Sequence, residues 1–335
     1  MKEKLGANWL LPTLAVLALL AFTPTGCQPS TTLTSGPDAH EHEQGAPELS
    51  ALTLGEGRKL QVVATTNILS DVVHTVGGDR IVLTTLMGVG VDPHSYVPTP
   101  ADVAALHDAD VVFASGAGLE ANLEATLESA GGDAAAIYVS QGLELRPTPG
   151  GSAQEGEHSH REVDPHVWFS VPNVIRWVEA IEGTLSILDP ANKEAYQANA
   201  EAYVADLEAL DAWVLTQVAT IPETQRKLVT SHPVFGYFAE RYSLEQLGAV
   251  YPVSPSSEPS AQDIAALEQA IRSYGVPAVF AESTVNPKLA EQVAEDTGVR
   301  LVPLYSGSLG GPGSGVESYA ELMRYNVKAI VEALK

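Results

Sequence analysis

The sequence predicts an α/β fold of two lobes, each a parallel sheet with helices on both faces, tied together by one long helix. Three observations carry this reading. Short β-branched runs alternate with helical patterns, which is how parallel sheets are built. The alternation occurs twice, on either side of residue 190. Between the two copies lies a helical pattern that meets no glycine or proline until Pro222. At 335 residues and 45% apolar composition the chain is long and apolar enough for two cores.

In the first half, strands are expected at 60–64, 81–86, 111–114 and 137–139, with helices at 68–76, 101–106 and 119–129. After Asp189-Pro190, a helix start signal, Tyr196, Tyr203, Leu207, Leu210, Val214 and Val218 recur at steps of three, four or seven. Roughly thirty helical residues would run about 45 Å, more than one small lobe needs. The helix is therefore expected along the backs of both lobes as a stiff spine. In the second half, strands are expected at 228–230, 248–251, 278–281 and 301–304, and helices at 235–242, 264–274, 289–297 and 319–334. The expected boundaries are an N-terminal lobe at 58–189, a linking helix at 190–220 and a C-terminal lobe at 221–335, both lobes Rossmann-like.

The N-terminal residues read differently. Lys2 and Lys4 precede an apolar run at 10–22, too short to span a bilayer but the right size for a signal-peptide core, which gives a signal peptide at 1–26. It leads into Thr25-Gly26-Cys27, and Cys27 is the one cysteine of the chain. Small residues before cysteine are similar to a bacterial lipobox, in which the cysteine is lipidated, although Pro24 stands where that pattern usually has leucine. The alternative is a plain secreted protein. Both readings export the chain, and a lone thiol excludes an intramolecular disulfide. Residues 27–57, rich in Ser, Thr, Pro, Gly and Glu, read as a flexible tether carrying His40 and His42. Residues 146–163, with His158 and His160, read as a mobile surface loop. These acid-flanked histidines either gather metal weakly or are simply solvated.

A formal charge of −24, from 42 acidic and 18 basic residues, excludes nucleic acid as a partner, because phosphate binding needs a basic footprint. An acidic surface raises the local concentration of cations, and it also keeps a protein soluble.

Three histidines stand out. Asp92-Pro93-His94 follows a strand, and Asp92 is placed to accept the second N–H of the imidazole. Asp164-Pro165-His166 repeats the tripeptide in the same half, and Ser231-His232-Pro233 follows the strand at 228–230 in the other. Ligands of open α/β sheets bind at the carboxyl ends of strands, so the three are expected at strand ends, converging in the cleft between the lobes. Neutral imidazole suits zinc and also serves manganese, iron, copper and nickel, whereas calcium or magnesium would call for oxygen donors. Affinity should then drop as pH falls below about 6, where imidazoles protonate. His74, within a helix, and His107, at a helix end, read as ordinary surface or core residues.

From about residue 60 to its end the chain resembles the cluster A-I solute-binding proteins of ABC importers for zinc and manganese. The resemblance rests on Asp92-Pro93-His94-Ser95-Tyr96-Val97-Pro98-Thr99-Pro100, Asp164-Pro165-His166-Val167-Trp168 and Thr230-Ser231-His232-Pro233-Val234-Phe235-Gly236-Tyr237-Phe238. Glu258-Pro259-Ser260, Phe280-Ala281-Glu282-Ser283 and Glu317-Ser318-Tyr319 with Met323-Arg324-Tyr325-Asn326 add to it. It implies a buried four-coordinate site between the lobes, with His94, His166 and His232 as ligands. It also implies a monomer at the outer face of the membrane and partnership with a permease and its ATPase. Manganese members often carry glutamate at the third position, so His232 resembles the zinc type. Many members have aspartate where this chain has Gly307. Glycine offers no donor atom, which leaves the fourth position to water, to a displaced carboxylate or to a metal held by three, with Glu282 the nearest acid by topology, either as ligand or as partner of a ligand. Three readings stand beside zinc capture: a manganese-binding protein of the same class, a three-histidine zinc hydrolase with Glu282 as base, and a surface adhesin or storage lipoprotein.

Overall fold

The computed structural model describes residues 49–130, 134–148, 163–251 and 258–335. The signal peptide, Cys27, most of the tether with His40 and His42, and the His158 and His160 segment lie outside these residues. No helix among the described residues is long and apolar enough to cross a membrane.

The first sheet contains β1 (Leu60–Thr66), β2 (Ile81–Met87), β3 (Val111–Ala114) and β4 (Ala135–Tyr138) in the order β2-β1-β3-β4, every pair parallel. Between these strands run α1 (Asn67–Gly77), α2 (Pro100–His107) and α3 (Glu124–Ala130). Two helices follow, α4 (Val171–Leu188) and α5 (Lys193–Val218). The second sheet contains β5 (Lys227–Thr230), β6 (Glu245–Ala249), β7 (Ala278–Glu282) and β8 (Arg300–Leu304) in the order β6-β5-β7-β8, again parallel throughout. Its helices are α6 (Gly236–Tyr242), α7 (Ala261–Tyr274), α8 (Lys288–Thr297) and α9 (Tyr319–Leu334). The central strands β3 and β7 are buried at every residue, as strands covered on both faces must be. In each sheet the strand order reverses beside the first strand, so the crevices open between β1 and β3 and between β5 and β7.

Local chemistry sets the helix limits. Thr66 accepts the Leu69 N–H at the start of α1, and reciprocal capping boxes open α2 (Thr99 with Asp102), α7 (Ser260 with Asp263) and α9 (Ser318 with Glu321). Gly275 and Gly298, with φ of 62° and 73°, end α7 and α8 in the left-handed conformation that glycine takes without a steric penalty.

The spine helix is present but shorter than expected: α5 has 26 residues, about 39 Å, because residues 190–192 form a separate 3-10 turn. Its buried face is Tyr196, Ala200, Tyr203, Leu207, Leu210, Val214 and Val218. That face packs on α1 and α4 of the first half and on α9 of the second, and one apolar core runs through both halves. Three elements differ from the sequence expectation. α4 was not expected at all, although Val174, Trp177, Val178, Ile181, Leu185 and Leu188 bury one helical face. α3 begins at Glu124 rather than 119, because Gly116, Ala117 and Gly118 all have positive φ and turn the chain first. β6 begins at Glu245, where a position on the sheet edge tolerates polar residues, and its register shifts opposite Leu228 and Val229.

Candidate metal centre

His94 lies seven residues beyond β2, in a turn built by Asp92. One carboxylate oxygen of Asp92 accepts the His94 backbone N–H at 3.0 Å, and the other accepts the Ser95 hydroxyl at 3.0 Å. Asp92 therefore holds backbone rather than the imidazole, in the side-chain-to-backbone turn that aspartate favours. Asn122 donates to the His94 carbonyl at 2.8 Å. Its neighbour Glu120 is buried at the β1–β3 crevice, accepting from the Thr65 hydroxyl at 2.7 Å and from the Ser115 and Gly116 N–H groups at 2.7 and 3.0 Å. Burial raises the pKa of this carboxyl even against those bonds. Neither Glu120 nor Asn122 belongs to a motif that would single it out in the sequence.

His166 is not at the end of a sheet strand, contrary to expectation. It follows Val163, which forms an isolated antiparallel bridge with Pro147, and it opens the 3-10 turn Val167–Phe169 ahead of α4. Here the aspartate of the tripeptide does face the ring: Asp164 Oδ1 lies 2.7 Å from His166 Nδ1 and accepts the His166 backbone N–H at 3.0 Å. A proton held at Nδ1 leaves the Nε2 lone pair free to bind.

His232 comes two residues after β5, and Glu282 ends the neighbouring β7. Glu282 Oε1 accepts the His232 backbone N–H at 2.8 Å. Oε2 sits 2.7 Å from His232 Nδ1, an ion-pair contact in which the N–H direction is poorly aligned with the oxygen. Both carboxylate oxygens thus lie on the backbone N–H and Nδ1 side of His232, away from its Nε2.

The three rings meet at their Nε2 edges. His166 Nε2 is 2.9 Å from His94 Nε2 and 3.2 Å from His232 Nε2, and one ring nitrogen from each residue lies within 4.8 Å of the others. Nitrogens about 2.0–2.1 Å from a tetrahedral ion would stand about 3.3 Å apart, close to this spacing. His166 and His232 are buried, and His94 is partly exposed. At the fourth position of the resembling family, a Cβ on Gly307 would lie 3.0 Å from Pro93 Cδ and 3.4 Å from Thr284 Oγ1, so this segment packs directly on the His94 turn. His74 and His107 are exposed on α1 and α2, apart from the cluster.

Burial, reinforced by the charges of His166 and His232, pushes the His94 pKa down from 6.5 to about 3. Its protonation therefore does not begin near pH 6, and its share of any acid loss moves lower. Folded His94 resists a proton that the unfolded chain accepts, so stability rises with pH between about 3 and 6.5 and is lost on acidification through that window. The urea midpoint of the metal-free protein is expected to fall as pH drops from 7 to 4. The fall should be shallower in His94→Ala, and equal slopes for both proteins would contradict the assignment.

Two parallel-sheet lobes on a rigid helix, with imidazoles from both lobes gathered at one point, define a binding protein that captures a divalent metal ion. A family model described as zinc-uptake complex component A, periplasmic, matches residues 62–333, and the chain belongs to that family, the metal-binding components of ABC importers. The chain is 35% identical over 291 residues to the manganese-binding lipoprotein MntA of Halalkalibacterium halodurans, covering 87% of this chain and 93% of the relative. Against MntA of Bacillus subtilis it is 35% identical over 285 residues, 83% of this chain and 90% of the relative. Among solved structures, the periplasmic zinc binding protein TroA of Treponema pallidum superposes with a TM-score of 0.74 at 31% identity, covering 83% of this chain and 99% of that one. The Mn-bound periplasmic metal binding protein of Candidatus Liberibacter asiaticus gives 0.74 at 27% identity, covering 83% and 100%. Proteins of this family are solute-binding components and not enzymes, which sets the hydrolase alternative aside.

Proposed function

We propose that this protein is an exported, monomeric lipoprotein, anchored through Cys27, that captures Zn2+ with His94, His166 and His232 and delivers it to an ABC permease and its ATPase. The observation that carries the reading is the donor set: three imidazole nitrogens face one point, while Asp164 and Glu282 are turned to the far sides of the rings. Nitrogen donors without carboxylate oxygen suit zinc better than the harder Mn2+. Water completes the coordination, since Gly307 contributes no donor atom. His94, the least buried of the three, is the ligand through which the ion enters and leaves. Docking on the permease parts the lobes and frees the ion.

A second reading, manganese, is favoured by the names of the two relatives at 35% identity. The Candidatus Liberibacter asiaticus protein is described both Mn-bound and Cd-bound, so the family fold takes more than one ion. The two readings separate in mass spectrometry of protein purified without added metal, because raw affinity favours Zn2+ over Mn2+ at nearly any such site. Zinc is expected as the bound ion; manganese in its place would reverse the assignment.

A further inference from the structure

Asp164 stands behind the His166 ring, and both halves of the chain hold it. Within its own half its N–H donates to the Arg146 carbonyl at 2.8 Å and its Oδ1 accepts the His166 backbone N–H at 3.0 Å. Its remaining support comes from α6, which starts four residues after His232. The buried Tyr237 hydroxyl donates to the Asp164 carbonyl at 2.9 Å and accepts the Arg146 N–H at 3.0 Å, stitching together the two stretches that flank His166. Arg146 is also ion-paired with Glu240 on the same helix. Gly236 lies against the carboxylate. A Cβ there would lie 2.5 Å from Asp164 Oδ2, so the carboxylate occupies the space that any side chain would need. Beside this contact the buried rings of Phe169 and Phe235 pack 4.4 Å apart, joining the turn after His166 to the start of α6.

We propose that Gly236 and Tyr237 are positioning residues for metal binding: they seat Asp164, and through it His166, so that the spacing of His166 and His232 is set by α6 before the ion arrives. The proposal rests on the metal-capture reading above for its consequence, but the geometry it invokes belongs to the metal-free molecule. A preset pair lowers the ordering cost of binding, as rigid preorganisation does generally. It also accounts for glycine at the head of a helix, where its conformational freedom is otherwise a liability. An alanine at 236 meets side-chain atoms rather than backbone, Asp164 Oδ2 first and Arg146 Nε at 3.2 Å next. The Asp164 carboxylate rotates and carries Oδ1 away from His166 Nδ1.

The test uses the full-length protein labelled with 15N at histidine. In the metal-free wild type, His166 is expected to show one tautomer, protonated at Nδ1, with a slowly exchanging proton. Gly236→Ala is expected to lose that proton signal and to bind Zn2+ about ten- to a hundredfold more weakly, the range seen when the partner of a metal-binding histidine is removed, with unchanged far-UV circular dichroism. Tyr237→Phe, which deletes one oxygen and carries the test should Gly236→Ala not fold, is expected to shift both readouts in the same direction by a smaller amount. Wild-type affinity together with a wild-type His166 signal in the folded variants overturns the proposal. A wild-type protein that binds neither Zn2+ nor Mn2+ overturns the metal-capture reading instead, and the tautomer signal still decides the role of Gly236.

Discussion

A His166→Ala variant is expected to lose metal affinity by more than about a hundredfold, because removing a donor should exceed the ten- to hundredfold loss caused by removing a donor's partner. His166 is the ring common to both short Nε2 contacts, at 2.9 Å to His94 and 3.2 Å to His232, so deleting it leaves two nitrogens with no shared neighbour. It also takes the ring partner from the buried Asp164 Oδ1, which keeps the backbone N–H at position 166, so the metal-free fold loses about 1 kcal/mol. Competition against a chromophoric chelator measures the first effect and urea unfolding the second. His74→Ala, on the exposed face of α1, serves as control and is expected to bind as the wild type does. Equal behaviour of the two variants would remove His166 from the site.

Glu282→Ala is expected to weaken Zn2+ binding by about ten- to a hundredfold and to destabilise the metal-free protein by about 1–3 kcal/mol. The two effects have separate causes. The carboxylate beside Nδ1 orients the His232 ring, and its other oxygen is the acceptor for the buried His232 N–H. Glu282→Gln keeps an acceptor for that N–H, so it should recover most of the stability and little of the affinity. Equal unfolding midpoints for wild type and Glu282→Ala in the absence of metal would contradict the bond from the His232 N–H to Oε1, and with it the partner role argued here.

Much of the fold is legible in the sequence, because the signals are local. β3 and β7 read as strands from apolar runs, α9 as a helix from its pattern, and α5 from a long stretch without glycine or proline. α4 carries a comparable periodic face in Val174, Trp177, Val178, Ile181, Leu185 and Leu188, which makes it as legible in the sequence as α5. The α3 start is less recoverable, since Ala117 adopts a positive φ that its residue type does not announce.

The site divides in the same way. Two Asp-Pro-His tripeptides with identical local sequence use their aspartates differently: Asp92 caps backbone and Asp164 faces the ring. Their surroundings differ: Asn122 holds the His94 carbonyl in the first case, and Gly236 with Tyr237 packs on Asp164 in the second. Glu282 likewise acquires its role only because β5 and β7 are neighbours in the sheet.

The sequence by itself determined the residue chemistry and the periodicity: three histidines in distinctive short motifs, two rounds of strand and helix, and one stiff connector. Only the tertiary structure decided that residues 72 and 66 positions apart bring their ring nitrogens to 2.9 and 3.2 Å, and which carboxylate stands behind which ring. The reason is physical. Backbone propensity acts over a few residues, whereas the direction of a loop leaving a sheet is fixed by strand order and by packing against segments far along the chain.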